Sequence, residues 1–183
     1  FNGHSSETHI DLPRFANISL KFDAVFLKRD GTVKNTLAGA EDFNQFNRRG
    51  GHVAALWEPS ADFSAQIDAD YSYDASTPYY VQLLNKSATA YPLAPLVRVE
   101  PGRVDATDIG VPQDANAGET YGASLHLKWA LSDAVELRSI SAYRHLEQAQ
   151  KDNGIGAHAG VFAPNATFAR YSLASMRQHQ FSQ

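Results

Sequence analysis

Cysteine is absent from the 183 residues, which excludes disulfides, cysteine-ligated zinc and thiol chemistry together. A large excess of one charge is lacking too: 16 basic against 20 acidic residues leave a net charge of −4, without the positive surplus that recruits polyanions. Nucleic acid is therefore not an expected partner. No apolar run reaches the ~18 residues that a bilayer-spanning helix needs, so any membrane role must use strands. Phe1 to Asp11 has neither the basic start nor the apolar stretch of a secretion signal. The expectation is that the precursor end lies outside this stretch or that the protein is cytosolic.

Catalytic patterns are missing as well. There is no Gly-x-Ser-x-Gly turn, and Gly154-Ile155-Gly156 has no strand-then-helix context to make it a phosphate cradle. The seven histidines (His4, His9, His52, His126, His145, His158, His179) include no helical i, i+4 pair with a glutamate between partners. No enzymatic activity, cofactor or metal is expected.

What the chain does have is alternation with a period of two, the signature of a strand with one apolar face. From Phe63 to Asp74 the odd positions are Phe, Ala, Ile, Ala, Tyr and Tyr, and the even ones Ser, Gln, Asp, Asp, Ser and Asp. The same pattern runs from Ala16 to Phe26, with apolar even positions, and from Thr120 to Leu131, with apolar odd ones. Weaker strands are predicted at Thr8 to Leu12, Arg49 to Trp57 and Val135 to Leu146, and a last one from Ser172. In Val135 to Leu146 the apolar phase moves from odd (Val135, Leu137) to even (Ile140, Ala142), which predicts a bulge near Ser139.

The links alternate in length. Short ones are expected at Pro13 to Phe15, Glu58 to Asp62 and Ser132 to Ala134, and long ones at Asp30 to Asn47, Ala75 to Gly118 and Glu147 to Thr167. The second long link holds Pro78, Pro92, Pro95, Pro101 and Pro112, which bars regular helix or a central strand. Tight turns at one end and long loops at the other are the arrangement of an outer-membrane β-barrel wall. The Phe63 to Tyr73 run, ~33 Å along the strand and ~24 Å when tilted near 45°, matches the apolar band of such barrels. Trp57, Phe63 and Trp129 lie by the short turns, and Tyr71, Tyr73 and Tyr121 by the long loops, as two interfacial girdles. A weak repeat accompanies them, Gly50-Trp57-Ser60 and Gly122-Trp129-Ser132 at equal spacing. The expected fold class is all-β, an antiparallel transmembrane barrel wall of about seven strands with short periplasmic turns and long extracellular loops. Hairpins with one apolar face also build sandwiches, so a secreted or periplasmic β-sandwich binding carbohydrate or protein is the alternative.

Certain segments carry a family likeness. Arg49-Gly50-Gly51-His52-Val53-Ala54-Ala55-Leu56-Trp57-Glu58-Pro59-Ser60, followed by Asp70-Tyr71-Ser72-Tyr73-Asp74, resembles the early barrel of TonB-dependent receptors. Lys28-Arg29-Asp30-Gly31-Thr32-Val33-Lys34-Asn35, Ser139-Ile140-Ser141-Ala142-Tyr143-Arg144 and Gln180-Phe181-Ser182-Gln183 resemble it in the same order. The likeness covers nearly the whole of residues 1–183 and rests on strand-and-turn patterns. It implies a barrel of about twenty-two strands around a plug in the bacterial outer membrane. Such a receptor actively takes up a scarce solute, such as an iron–siderophore complex, cobalamin or carbohydrate. The partners implied are outer-membrane lipid, the plug domain of the parent receptor, the TonB complex reached through that plug, and a small solute such as a metal chelate. The expectation is a partial barrel, since neither a plug, a TonB-contacting motif nor a closing strand is found in these residues.

Candidate ligand-binding residues follow from facing. Asp68, Asp70 and Asp74 point to one face, where they either bind a cation or basic group or supply ordinary lumen polarity. Lys21, Asp23, Gln66, His126, Lys128 and Arg138 are expected on that face too, lining the solute path, touching the plug or simply hydrated. Tyr79, Tyr80 and Tyr91 in the second long loop either clamp a ligand or pack the loop on itself.

Overall fold

The alternating segments pair in chain order. The computed structural model describes residues 2–85, 98–108, 114–152 and 172–183. Its strands are β1 (Gly3–Phe15), β2 (Ile18–Arg29), β3 (Lys34–Asn35), β4 (Phe46–Ser60), β5 (Phe63–Ser76), β6 (Ala106–Thr107), β7 (Asn116–Ser132), β8 (Val135–Asp152) and β9 (Ser172–Ser182). Seven form one antiparallel sheet in the order β1-β2-β4-β5-β7-β8-β9, and β3 and β6 pair as a separate parallel ladder. The sheet is open, with β1 and β9 as its edges. Among the described residues there is no helix.

Each short link is a two-residue turn: Ala16–Asn17, Ala61–Asp62 and Asp133–Ala134. At the first, Ala16 and Asn17 have φ of 49° and 64°, the mirror-image turn geometry whose twist matches that of the flanking strands. The expected link from Pro13 to Phe15 is thereby corrected, because β1 continues through Pro13 to Phe15. A proline is admissible there since it falls in the register slip between Leu12 and Phe15, outside the paired positions of the ladder. Just before each turn the register slips by one residue, between Leu12 and Phe15, Trp57 and Ser60, and Ala130 and Ser132. The three hairpins share one plan, and the Gly-Trp-Ser repeat is its trace in two of them.

The bulge expected near Ser139 is not formed. The β7–β8 ladder runs unbroken from Ala117↔Ala149 to Ala130↔Glu136, so Leu137 and Tyr143 share one face while Ile140 and Ala142 stand on the other. Keeping the backbone ladder intact outweighs the cost of turning one isoleucine, 56% exposed, to the polar side.

In-register rows define the two faces. On the apolar face Ile10, Phe22, Val53, Ala69, Ala123, Tyr143 and Phe181 form one row across all seven strands. Leu12, Leu20, Ala55, Ile67 and Leu125 form the row nearer the short turns. Trp57, Phe63 and Trp129 follow it as an aromatic file, with edge-to-face ring contacts at 5.8 and 6.2 Å between centroids. No second layer of described residues covers this face: Ile67, Trp129 and Leu137 are about half exposed, and the only buried large hydrophobic among the described residues is Phe43. The sheet is a single layer, whereas a sandwich would close such a face against a second sheet.

Phe43 belongs to a cap knitted from the first two long links. The Thr32 and Lys34 N–H groups donate to the Phe43 and Asp105 carbonyls (both 2.9 Å), and that of Thr36 to the Thr107 carbonyl (2.8 Å). The Asn44 N–H donates to the Pro78 carbonyl, and the Thr77 hydroxyl to the Asp42 carbonyl. Tyr80 meets the Phe43 ring edge to face at 5.2 Å. Alternation cannot reveal such an assembly, because β3 and β6 are two residues each and far apart in the chain.

Candidate functional site

The polar face carries its chemistry in one row. His9, Asp23, His52, Asp70, Gly122, Arg144 and Gln180 stand in register across the seven strands. Side chains link most of it: His9 Nδ1 lies 2.7 Å from Asp23 Oδ1 and His52 Nδ1 3.0 Å from Asp23 Oδ2. The other His52 ring nitrogen, Nε2, is 3.5 Å from Asp68 Oδ1. As imidazolium, His52 donates toward both carboxylates. Lys21 Nζ adds a contact at 3.4 Å to Asp23. Four successive strands of the sheet thus hold one chain of alternating imidazoles and carboxylates.

The far end of the row depends on a missing side chain. Arg144 reaches Asp70 at 2.5 Å, across the intervening strand at Gly122. A Cβ on Gly122 would lie 2.6 Å from the Tyr143 carbonyl oxygen and 3.0 Å from the guanidinium carbon of Arg144. Gly122→Val is therefore expected to separate Arg144 from Asp70 and to lower stability by roughly 1–3 kcal/mol, the usual cost of overpacking. Gly118→Ala is the control, since its Cβ would meet nothing closer than 3.5 Å. Denaturant titration of the two variants is the measurement, and equal midpoints would remove the steric argument.

The residues singled out from sequence fall into three places. Asp68 and Asp70 join the row, with Asp68 also accepting from Gln66 Nε2 at 2.9 Å. Asp74 is engaged by Arg48 at 2.8 Å. His126 and Lys128 lie nearer the short turns, opposite Gln66 and Ser64. His126 is 3.2 Å from the Ser124 hydroxyl, and Lys128 pairs with Glu136 at 3.1 Å. Glu136 also takes the Arg138 guanidinium. Tyr79 is exposed at 75%, whereas Tyr80 is half-buried in the cap with its hydroxyl donating to Glu100 at 2.6 Å. Tyr91 lies outside the described residues. Among the described residues no group of three or more histidine and acidic side chains is arranged to hold a metal ion.

Sequence reading passed over His9, His52 and Arg144. Counting back from a two-residue turn without a bulge pairs His9 with Ala24 and puts it on the wrong face. Only the one-residue slip between Leu12 and Phe15 brings it opposite Asp23.

Tyr80 makes the cap responsive to alkali. Burial, followed by its bond to the Glu100 carboxylate, pushes the phenol up to about 12. Because the folded value exceeds the unfolded one near 10, this stabilisation is intact below about pH 10 and is lost as pH rises from there through about 12. Ultraviolet difference titration of wild type and Tyr80→Phe is expected to assign a tyrosinate step near pH 12 to this residue. In the same cap the Arg98 guanidinium beside Asp108 holds that carboxyl below its ordinary value.

Among the described residues, an open seven-stranded antiparallel sheet with a hydrogen-bonded polar face and an apolar face that none of them covers, beside a two-stranded parallel ladder, is the class that fold and site define. No protein-family model, curated protein or solved structure matches the chain.

Proposed function

We propose that the chain is part of the wall of an outer-membrane TonB-dependent receptor that actively imports a scarce solute. The observation that carries this reading is the apolar face that no described residue covers, banded by aromatic residues at both ends. Water penalises an exposed face of this extent, whereas lipid matches it. Tyr71, Tyr73 and Tyr121 border the band on the side of the long links, and Trp57, Phe63 and Trp129 on the side of the two-residue turns, as expected for strands ending at two interfaces. The polar face then lines the lumen. Its row from His9 to Arg144 offers carboxylates, imidazoles and a guanidinium to a hydrated solute or to a plug. The folded cap stands at the extracellular rim, with the exposed Tyr79 ring available to a ligand.

Uptake in cells tests this reading. Cells producing the complete protein are expected to accumulate one of a panel of labelled iron chelates, cobalamin and oligosaccharides, and to stop when an uncoupler collapses the proton-motive force. Cells without the protein should accumulate none. Uptake that survives the uncoupler would mean a passive pore. A chain that purifies from the aqueous fraction as a detergent-free monomer with a cooperative melt would instead favour the sandwich.

A further inference from the structure

The apolar face is not uniformly filled. Where β2 and β4 cross the row above Phe22 and Val53, the in-register residues are Ala24 and Gly51. The depression they leave, about 620 Å³, is walled by Ile10, Phe22, Val53 and Tyr71, with Arg49 at the end toward the long links. Gly51 is not a glycine that the fold requires. Its φ is not in the left-handed region, and a Cβ there would meet nothing closer than the Asp23 carbonyl oxygen at 3.7 Å. A strand-interior glycine is unfavourable in itself, and the ladders on both sides of Gly51 run without a bulge, so what the glycine provides is open space on the apolar face.

Charge at one end says what that is. Arg49 lies one face-row beyond Gly51, ~7 Å along the strand. Its guanidinium sits over the Tyr73 ring at 4.7 Å. Lys28 is on the same face, opposite Asn47, two residues along β4 from Arg49. Neither cation has a carboxylate partner among the described residues. On that face Glu119 stands beyond Tyr73, in register with it, and is taken by the Tyr71 hydroxyl at 3.3 Å. Two unneutralised cations at the edge of an apolar depression complement an anionic headgroup joined to a hydrocarbon chain.

We infer that this depression is a lipid site: Arg49 and Lys28 bind the phosphate of an acidic lipid, and the upper segment of one acyl chain lies over Ala24 and Gly51. The inference rests on the membrane orientation proposed above. Arginine is suited to the phosphate because its fork donates two hydrogen bonds, and the Tyr73 ring beneath it fixes its plane. The chain segment gains the apolar contacts that side chains at positions 24 and 51 would otherwise occupy.

The test uses the complete protein in detergent micelles with equal amounts of phosphatidylglycerol and phosphatidylcholine, reading retained lipid by native mass spectrometry. Wild type is expected to retain phosphatidylglycerol about tenfold over phosphatidylcholine, a ratio equivalent to ~1.4 kcal/mol. Arg49→Gln with Lys28→Gln should bring the ratio to about one by removing the charge discrimination. Gly51→Leu, whose Cβ would meet nothing closer than 3.7 Å, places its side chain in the depression and should reduce retention of both lipids several-fold, with strand content unchanged by circular dichroism. A wild-type ratio near one, or a ratio unmoved by the double variant, overturns the lipid site and leaves the membrane reading standing. A protein that needs no detergent and retains neither lipid overturns both.

Discussion

Ile67→Arg is expected to remove most of the folded yield in bilayers, while Asp68→Arg leaves the fold in place. The two residues are neighbours in β5 and point to opposite faces. Ile67 stands between Ala55 and Leu125 on the apolar face, and Asp68 between Ala54 and Ser124 on the polar one. An arginine on the lipid-facing side near the midplane costs roughly 2–4 kcal/mol, a factor of about 30 to 700 in the ratio of folded to unfolded protein at ~1.4 kcal/mol per tenfold. Asp68→Arg would lose the contact to His52 but keep a hydrated side chain, so under the proposed function the expected change there is in solute selectivity. The comparison also separates the two environments for the apolar face. Ile67 is 52% exposed, and on a water-facing surface its replacement would usually fall within about 0.5 kcal/mol. Equal refolding yields for the two variants in lipid vesicles would sink the proposed orientation.

Phe43→Ala is expected to open the cap and leave the sheet intact. Phe43 is 3% exposed, and its ring contact with Tyr80 bridges the first and second long links. Removing a buried phenylalanine costs about 3–5 kcal/mol, which in so small an assembly rivals everything else holding it. The ladder of the large sheet makes its own bonds and does not depend on this ring. Hydrogen exchange is the measurement: protection is expected to fall at the Thr32, Lys34 and Phe43 amides, which donate within the cap, and to persist at Val53 and Leu125 in the sheet. Unchanged protection in the cap would show that its backbone bonds suffice.

Six strands of the large sheet were legible because each keeps one apolar face for at least part of its length, whereas β9 has only Leu173 and Phe181 on that face, with Ser175, Arg177 and His179 between them. The ends of those six were not. Gly3 to Glu7, Asn116 to Glu119 and Glu147 to Asp152 pair through their backbones, but their side chains are polar or small on both faces and give no phase. At Ser139 the sequence phase misled, since a slip in apolar pattern was absorbed by one exposed isoleucine rather than by the backbone. Of the candidate site, Asp68 and Asp70 could be placed on the right face from alternation alone. Their partners could not, because Asp70 meets Arg144 across a strand whose glycine is visible in the sequence as a repeat but not as a passage. The cap was illegible altogether: a two-residue parallel pairing leaves no periodic trace, and Phe43 stands among polar neighbours.

The pairing of β3 with β6 also bears on how such a protein can diversify. Asn35 and Thr107 are buried where the two links pair, so the first two long connections form a single unit of variation, and a substitution in one must be accommodated by the other. A side chain is accommodated at Gly102, where an added Cβ meets no neighbouring atom within 4 Å, whereas Gly39, with a φ of 79°, favours glycine despite equal space. The exposed Tyr79 and Val81 can instead change without renegotiating the pairing beneath them.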